Sequence, residues 1–327
     1  MQRKSTPTMK DVAQEAGVAL GTVSKVFNGI PVGDSYRLKV EAAAKKLGYQ
    51  VNQYARGLRA NKTYTVAVIL PGVDHPFFAS LAQHLCTALA QRDHRMLLYV
   101  TASRPDIEQR CVTMVQQNRV DGIIGLTYNP LDVDEDLPFV SIDRCFSPDV
   151  PCVAADNYTG GRIAAEKLLE LGCQRLAFLR TGSVNPSETD KRGDGFEMVC
   201  RTRNVHYDAI RLKDGEPLEQ FKEFFLSRMS GGKIDVDGVF CSTDLLAWRV
   251  QGILGELGLR VPEDVQIIGF DGIRRFGGES LYCSTIVQPV QKIAETSVDL
   301  LLEPDRSKVP ALVCLPVSYV PGGTTRE

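Results

Sequence analysis

Long apolar runs are missing from this sequence, and so is any hydrophobic segment near its start. No stretch approaches the roughly 18 consecutive apolar residues that a membrane-spanning helix needs. The first ten residues, MQRKSTPTMK, lack the apolar core of a secretory signal. These absences predict a cytoplasmic protein with no membrane partner.

Spacing patterns for metal, disulfide or triad chemistry are also missing. Nine cysteines, an odd number, are scattered from Cys86 to Cys314 without a Cys-x-x-Cys pair. This usage predicts reduced thiols in protein cores and no zinc site. Four histidines are too scattered to form a Ser-His-Asp or metal-ligand pattern, so we expect surface or structural roles for them: His75, His84, His94 and His206.

The phosphate-binding pattern of a dinucleotide enzyme is absent as well. Its Gly-x-Gly-x-x-Gly should follow the first strand, but here TVAVIL is followed by PGVDHPFF. The segment TGGR at 159–162 opens a helix without the required spacing. We therefore expect neither a catalytic residue nor a cofactor, and binding is the favoured class of function.

The net charge of the whole chain is small, but positive charge is concentrated in its first part. The formal net charge is -2, whereas residues 1–62 contain eleven Lys or Arg against four Asp or Glu. These residues therefore carry +7, and the rest of the chain carries -9. A basic head on an acidic body is typical of a nucleic-acid-binding domain joined to a domain with another task.

The segment TMKDVAQEAGVALGTVSKVFNG, residues 8–29, predicts two short helices joined by a tight turn. Thr8 and Asp11 form a capping-box pattern, so the first helix should begin near Met9. Gly17 permits the turn, and apolar residues recur at helical spacing on both sides of it: Val12, Ala13, Ala16, Val23, Val26 and Phe27. A plain helical hairpin with a polar outer face would give the same pattern.

Two more segments complete the basic head. Residues 34–48 predict a third helix whose apolar side chains close a small core: Leu38, Ala42 and Leu47. The following VNQYARGLRANKT is too short to be a stable helix alone, and Gly57 lowers its helix propensity by about 1 kcal/mol relative to Ala. A flexible basic linker is one interpretation of this segment.

From Thr63 onward, strand-like apolar runs alternate with amphipathic helices. Seven such runs follow one another: TVAVIL, RMLLYV, DGIIGL, FVSID, RLAFLR, DGVFCS and VQIIGFD. The alternation predicts parallel sheets covered by helices on both faces. Because about 265 residues exceed one typical domain, we expect two similar lobes, with a ligand at the carboxyl ends of the strands.

The basic head and this alternation together resemble the LacI/GalR family of bacterial transcription regulators over nearly all 327 residues. The resemblance rests on TMKDVAQEAGVALGTVSKVFNG, on YRLKVEAAAKKLGYQVNQYARGLRANKT and on later segments such as IIGFDG. It implies a helix-turn-helix domain at 1–50, a hinge helix or linker at 51–62, and a two-lobed effector-binding and dimerisation domain at 63–327. The implied fold is a small all-α head joined to an α/β core of parallel sheets, similar to periplasmic binding proteins.

Within that family the second helix enters the major groove, as in other helix-turn-helix proteins. Carried over by position, six residues would contact DNA: Leu20, Gly21 and Lys25 at bases, and Thr22, Ser24 and Asn28 at phosphates. Lys25 stands where many members carry arginine, although lysine can also donate to guanine.

The resemblance also gives the linker a role. It implies a hinge helix that is ordered on DNA and inserts Leu58 into the minor groove, which is a known way to kink DNA. Ala55 is assigned to the same DNA contact. Val51 replaces a proline that is common in the family.

The segment PGVDHPFF follows the first strand and offers three effector contacts. Asp74 would accept from a hydroxyl, and Phe77 and Phe78 stand at the start of a helix. Packing in the lobe core is the alternative for both rings, and it is favoured more for Phe78 than for Phe77.

Three further effector contacts come from matching family segments. SETDKRGDGF matches an Arg-x-x-Gly-aromatic pattern that assigns the ligand-binding arginine to Arg192, although a solvated charge run is the other interpretation. CSTDLLAW has Thr243 where Asn is usual, and IIGFDG puts Asp271 in the cleft. Acidic acceptors, a guanidinium and an aromatic surface suit a sugar, and Arg192 would equally accept a phosphate. For Trp248 we favour a core or interface role.

These features predict a sequence-specific DNA-binding transcriptional repressor whose operator affinity is controlled by a sugar or sugar phosphate bound between two lobes. One head reads few bases, so we expect a homodimer on a palindromic operator. No Leu heptad follows VSYVPGGTTRE, which predicts no tetramerising helix. The alternatives are a stand-alone sugar-binding receptor, which would have no use for the basic head, and a nucleotide-dependent enzyme.

Overall fold

Two units of different secondary structure make up the chain, Met1–Thr63 and Tyr64–Glu327. Within the residues described below, no helix is both long enough and apolar enough to cross a membrane. The computed structural model describes the following residues: 7–27, 29–49, 62–127, 129, 131–134, 136–145, 149–182, 185–213, 215–275, 278 and 280–327.

The described residues of the first unit contain three helices: α1 (Met9–Ala16), α2 (Leu20–Phe27) and α3 (Asp34–Leu47). The predicted capping box starts α1, because Thr8 N–H donates to Asp11 Oδ2 at 2.7 Å and Asp11 N–H donates to Thr8 Oγ1 at 3.4 Å. Gly17 ends the helix in the left-handed region, with φ of 62°. The turn between the first two helices therefore forms as predicted.

The residues of α3 that are buried in the core of this unit differ from those predicted. Val12, Val23 and Val40 are fully buried, and Ala43 and Ala44 join them. By contrast, Leu38 is 62% exposed and Ala42 is exposed. A stripe through 40, 43, 44 and 47 has the i, i+3, i+4 spacing of one helix face, and position 38 lies about 200° around the helix from position 40.

The second unit alternates helices and strands. The helices are α4 (Pro76–Ala90), α5 (Pro105–Gln117), α6 (Asn157–Glu170), α7 (Lys191–Thr202), α8 (Glu219–Ser227), α9 (Asp244–Glu256) and α10 (Val290–Leu302). The strands are β1 (Thr65–Leu70), β2 (Arg95–Val100), β3 (Gly122–Gly125), β4 (Phe139–Ile142), β5 (Cys152–Ala155), β6 (Arg175–Gly182), β7 (His206–Lys213), β8 (Met229–Ser230), β9 (Lys233–Ile234), β10 (Gly238–Cys241), β11 (Gln266–Asp271), β12 (Ser284–Val287), β13 (Leu312–Leu315) and β14 (Ser318–Val320).

These strands form two six-stranded sheets, one for each lobe. The first lobe has the order β13-β5-β4-β3-β1-β2 and is parallel throughout. The second lobe has the order β14-β12-β11-β10-β6-β7, in which only the edge strand β14 is antiparallel to its neighbour. The short pair β8-β9 is an antiparallel hairpin.

Each sheet is covered by helices on both of its faces, which explains why the predicted strands read as continuous apolar runs. In the first lobe, α4 and α10 cover one face and α5 covers the other. In the second lobe, α8 and α9 cover one face, and α6 and α7 cover the other. All six residues of β1 are buried, because neighbouring side chains point to opposite covered faces.

The chain passes between the lobes three times, from β5 to α6, from β12 to α10, and from β13 to β14. Two lobes connected in this way place the carboxyl ends of their parallel strands against a common cleft. The predicted fold class and all seven predicted strands are confirmed. Other strands were not predicted from the sequence: the four-residue β5, β12 and β13, the three-residue β14, the largely exposed edge strand β7 and the β8-β9 hairpin.

Candidate functional site

A cavity of about 430 Å³ lies between the two lobes of the second unit. The first lobe contributes residues that follow β1, β2, β3 and β4, and the second lobe contributes the last residue of β11 and residues that follow β6, β7, β10 and β12. Polar residues of both lobes line it: Ser103, Asp143, Arg144, Arg180, Thr189, Arg192, Ser242, Thr243, Asp271 and Gln288. The position agrees with the general rule that ligands bind beyond the carboxyl ends of parallel strands.

Arg192 lies in the first turn of α7 and is only 3% exposed. Its Nε donates to Asn157 Oδ1 at 2.7 Å, and its Nη1 donates to the Ser242 carbonyl oxygen at 2.6 Å. The guanidinium carbon lies 3.7 Å from the centre of the Phe270 ring. These contacts fix the side chain in the cavity wall, so the interpretation of this segment as a solvated charge run is wrong for Arg192.

Close packing of α6 on α7 sets the position of that arginine. A Cβ added to Gly161 would lie 1.9 Å from the Arg192 carbonyl oxygen, and one added to Gly195 would lie 2.0 Å from the Tyr158 carbonyl oxygen. Only glycine fits where two helix backbones approach so closely. The glycines of YTGGR and RGDGF therefore bring Asn157 and Arg192 within hydrogen-bond distance.

Asp271 ends β11 and is 6% exposed, with φ of 126°. Its Oδ1 accepts from Gln288 Nε2 at 2.8 Å and lies 3.7 Å from Arg192 Nη1. Burial raises the pKa of this carboxyl to about 8, although the Arg192 guanidinium lowers it in part. A neutral carboxyl is therefore in balance with the carboxylate near physiological pH.

Asp143 follows β4 in the first lobe and is the main site candidate that the sequence analysis missed. It is 5% exposed, has φ of 57°, and lines the cavity. Burial raises its pKa to about 6, against the opposing effect of Arg192. The pattern of an apolar strand ending in Asp was visible in FVSID, as it was in IIGFD.

Four buried acceptor atoms of the cavity residues have no hydrogen-bond partner within the described part of the chain: Asp143 Oδ1, Ser242 Oγ, Asp271 Oδ2 and Gln288 Oε1. Buried polar atoms are paired in most native structures, so each of these is a position for a ligand or water. All four accept hydrogen bonds, and the Ser242 hydroxyl and the neutral carboxyl of Asp271 also donate. A ligand with several O–H donors would satisfy them.

Thr243 and Asp244, at the start of α9, have different roles. Thr243 lines the cavity and also caps α9, because its Oγ1 accepts from Leu246 N–H at 3.2 Å. Asp244 is fully buried and accepts from Ile273 N–H at 2.6 Å and from Thr285 Oγ1 at 2.5 Å. Asp244 therefore ties α9 to the strand ends of the second lobe.

The structure does not place every predicted contact of PGVDHPFF in the cavity. Phe77 and Phe78 line it, whereas Asp74 is exposed and is not among the lining residues. The order of the two rings is the reverse of the prediction, because Phe77 is 6% exposed in the core and Phe78 is half-buried. Since α4 begins at Pro76, these consecutive positions lie about 100° apart around the helix.

His75 lines the cavity, in addition to the surface or structural role that we expected for the histidines. Its Nδ1 accepts from Phe77 N–H at 3.3 Å and so caps α4, and its ring lies 5.0 Å from the ring of Phe78. Burial lowers the pKa of this imidazole. A capping histidine before Pro and two Phe residues could have been suspected from the sequence.

In the first unit, Leu20, Gly21 and Lys25 are exposed on α2, and Thr22 and Ser24 are half-buried. The three predicted base contacts are therefore accessible to DNA. Three other predicted DNA contacts, Asn28, Ala55 and Leu58, lie outside the described residues. The assignment of individual DNA contacts stays a prediction.

Two further expectations need correction. Trp248 is 52% exposed, with its ring 6.3 Å from that of Tyr282, so a core role is wrong and an interface role is left. Six of the nine cysteines are buried, but Cys86, Cys145 and Cys314 are exposed. Within the described residues, no cluster of three or more His, Cys, Asp or Glu side chains is suited to a metal ion.

Comparisons with known proteins cover both units. Residues 8–52 match a family described as "Bacterial regulatory proteins, lacI family", and residues 63–318 match "Periplasmic binding proteins and sugar binding domain of LacI family".

The sucrose operon repressor of Streptococcus mutans is 31% identical over 320 residues, which are 96% of this chain and 98% of that protein. The ribose operon repressor of Bacillus subtilis is 32% identical over 332 residues, 98% of this chain and 99% of the relative. A solved structure of the Lac repressor dimer bound to operator and the anti-inducer ONPF is 25% identical, covers 99% of this chain and 100% of that chain, and has a TM-score of 0.83.

Proposed function

The chain belongs to the LacI family of bacterial regulatory proteins, and from that premise we propose that it is a repressor whose cleft binds a neutral sugar. It is a DNA-binding transcriptional regulator that combines a DNA-binding domain with a sugar-binding domain.

The observation that carries this proposal is the set of four buried acceptor atoms in the cavity. An unpaired buried acceptor costs about 1–3 kcal/mol, so a ligand that donates to it gains correspondingly. Adjacent hydroxyl groups on a sugar ring supply several donors at once. Phe77 and Phe78 add apolar surface for the C–H faces of a ring.

A neutral sugar fits these contacts better than a sugar phosphate. A phosphate only accepts, and the Arg192 and Arg180 side chains already have acceptors: Arg192 donates to Asn157 and to the Ser242 carbonyl oxygen, and Arg180 lies 2.5 Å from Asp190. The carboxylate of Asp143, whose pKa is about 6, would also repel phosphate in the same cavity. Arg144 and the exposed Arg249 also line the cavity and are the cations through which a phosphate could still bind.

A thermal-shift panel tests the ligand. Neutral sugars, beginning with sucrose and D-ribose, are compared with their phosphates on the parent protein and on Asp143→Asn and Asp271→Asn. A sugar at one hundred times its Kd should stabilise the parent by about 2.7 kcal/mol. We expect both variants to lose that shift. A shift with phosphates alone that disappears in Arg249→Ala would reject the neutral ligand.

For the DNA-binding activity we propose repression at a palindromic operator, as the names of the relatives suggest. Selection of bound duplexes from random DNA should yield a two-fold symmetric sequence. A gel shift on that sequence, with and without the stabilising sugar, measures control by the ligand. Because the target is chromosomal DNA, the proposed location is the cytoplasm. A turnover assay with the same sugars should show unchanged substrate.

We also propose that the active form is a homodimer. The edge strand β2 exposes three apolar side chains, Leu97 at 39%, Leu98 at 39% and Val100 at 47%, and Val73 is 48% exposed. Exposed Trp248 gives the second lobe an aromatic residue of the kind enriched in interfaces. Light scattering should give twice the chain mass, and Leu98→Lys should reduce it toward the monomer.

A further inference from the structure

Glu188 connects the second lobe to the segment of the first lobe that carries Asp143. It begins a 3-10 turn, Glu188–Asp190, and is only 9% exposed. Its backbone N–H donates to the Asp143 carbonyl oxygen at 3.0 Å, and its Oε1 accepts from the Cys145 thiol at 3.6 Å. One residue of the second lobe therefore holds both ends of segment 143–145.

The turn that carries Glu188 is itself anchored within the second lobe. Lys191 Nζ donates to Glu188 Oε2 at 2.7 Å, and Ser187 forms a capping box with Asp190. Asp190 also pairs with Arg180, and α7 continues directly from the turn with Lys191 and Arg192. Glu188 is thus a fixed point between the two sides of the cavity, although its own side chain does not line it.

The Glu188 carboxylate also acts on the charge of Asp143. Burial is the main cause of the raised pKa of Asp143, Arg192 lowers it, and the negative charge of Glu188 raises it further. Other titratable groups interact electrostatically with one or both of these carboxyls: Cys145, Cys152, Lys191, Asp271 and Cys314. Glu188 both acts on the charge of Asp143 and donates a hydrogen bond to its backbone carbonyl oxygen.

We propose that Glu188 is a positioning residue of the cleft, which fixes segment 143–145 and controls how readily Asp143 accepts a hydrogen bond from the ligand. The proposal rests on the proposed function in one respect, that the cleft holds the ligand. The effect of Glu188 on Asp143 is independent of any ligand and is tested separately.

Glu188→Gln keeps the shape and the backbone N–H of Glu188 and removes its charge. The carboxyl carbons of the ligand-free full-length protein are titrated by NMR after 13C labelling of aspartate, and Asp143→Asn identifies the signal of Asp143. We expect Asp143 in Glu188→Gln to have a pKa below the value of about 6 in the parent. An unchanged pKa would overturn the proposal.

Glu256→Gln is the matched control, because Glu256 forms a similar ion pair with Lys222, at 2.6 Å, outside the cavity. This variant should leave the pKa of Asp143 unchanged. A thermal stability of both Gln variants equal to that of the parent would show that folding is intact in both.

Ligand affinity gives the second measurement, with whichever of sucrose and D-ribose stabilises the parent. At pH 5 a carboxyl with a pKa of about 6 is ionised in about one molecule in ten, which lowers the affinity of a hydroxyl donor about tenfold. Glu188→Gln should recover several-fold of that loss at pH 5. The same change of affinity at every pH would instead indicate a purely structural role. If neither sugar binds, the proposed ligand is wrong, and the NMR titration still decides the role of Glu188.

Discussion

Asp143 and Asp271 occupy matching positions in the two lobes of this regulator. Each stands at the carboxyl end of the third strand in the order of its sheet, and each has a positive φ, 57° and 126°. Such backbone conformations cost about 1–3 kcal/mol and persist where the surrounding structure enforces them, often at functional sites. Each lobe therefore presents to the same cavity one carboxyl whose residue has a strained backbone conformation.

The pH dependence of ligand binding follows from these two carboxyls. Burial raises the pKa of Asp143 to about 6 and that of Asp271 to about 8. A sugar hydroxyl donates to a carboxylate, so binding should favour the ionised forms and release protons. We expect sugar affinity to rise between pH 5 and pH 9. Calorimetry in buffers of different ionisation enthalpy measures both effects, and proton uptake on binding would contradict this prediction.

Asp271→Asn should make folding stability less sensitive to a rise in pH. Burial raises the pKa of Asp271 from its ordinary value of 3.8 to about 8 in the folded protein. Between these values the folded protein holds a proton that the unfolded chain releases, so stability falls as the pH rises through this range. One pKa unit corresponds to about 1.4 kcal/mol, so the variant should gain at least that much relative to the parent between pH 5 and pH 9. Asparagine also tolerates positive φ. Urea unfolding at both pH values is the measurement, and a gain that does not depend on pH would refute it.

Gly161→Ala should disrupt the packing that positions Arg192. The added Cβ would lie 1.9 Å from the Arg192 carbonyl oxygen, so the two helix backbones must separate. Overpacking costs typically 1–3 kcal/mol or more, and we expect loss of sugar binding as well. Gly252→Ala is the control, since its Cβ would meet nothing within 4 Å on α9. It should stabilise by up to about 1 kcal/mol. Equal Tm values for the two variants would contradict the role of the close approach.

Lys25→Ala tests base reading by α2. Lys25 is exposed on that helix, and loss of a base contact should weaken operator binding by about 1–3 kcal/mol with little effect on random DNA. Lys45→Ala, at an exposed position of α3, should affect both DNAs alike or not at all. Titration of both DNAs at one salt concentration measures the ratio. An equal loss on both for Lys25→Ala would make Lys25 a phosphate contact.

Gly57→Ala tests the hinge, which lies outside the described residues, so this prediction rests on the sequence alone. Alanine should favour the helix by up to about 1 kcal/mol in each chain, or about 2 kcal/mol in a dimer. Operator affinity should then rise about tenfold, since about 1.4 kcal/mol corresponds to that factor. Control by the sugar should shrink, because a ligand shifts an equilibrium only by its differential affinity. Operator affinity at or below that of the parent would support a plain linker.

Local patterns in the sequence determined the architecture of both units. The capping box at Thr8, the turn at Gly17 and the apolar spacing of Val12 and Val23 act over a few residues, so they could be read without a structure. The same holds for the alternation of apolar strands and helices. Arg192 and Asp271 were found because family motifs carry them, and the structure brings their side chains within 3.7 Å.

Only the tertiary structure decided which side chains share the cavity. Asp143 and Asp271 are separated by 127 intervening residues, and Gln288 reaches Asp271 because β12 pairs with β11, with Val287 opposite Asp271. Periodicity shows which face of a helix is apolar, but it does not show which partner will cover that face. For that reason Leu38 was expected in the core and is exposed, and Phe77 rather than Phe78 is the more deeply buried ring. Contacts between distant segments depend on how the sheets and helices pack together, and that packing is set by the whole chain.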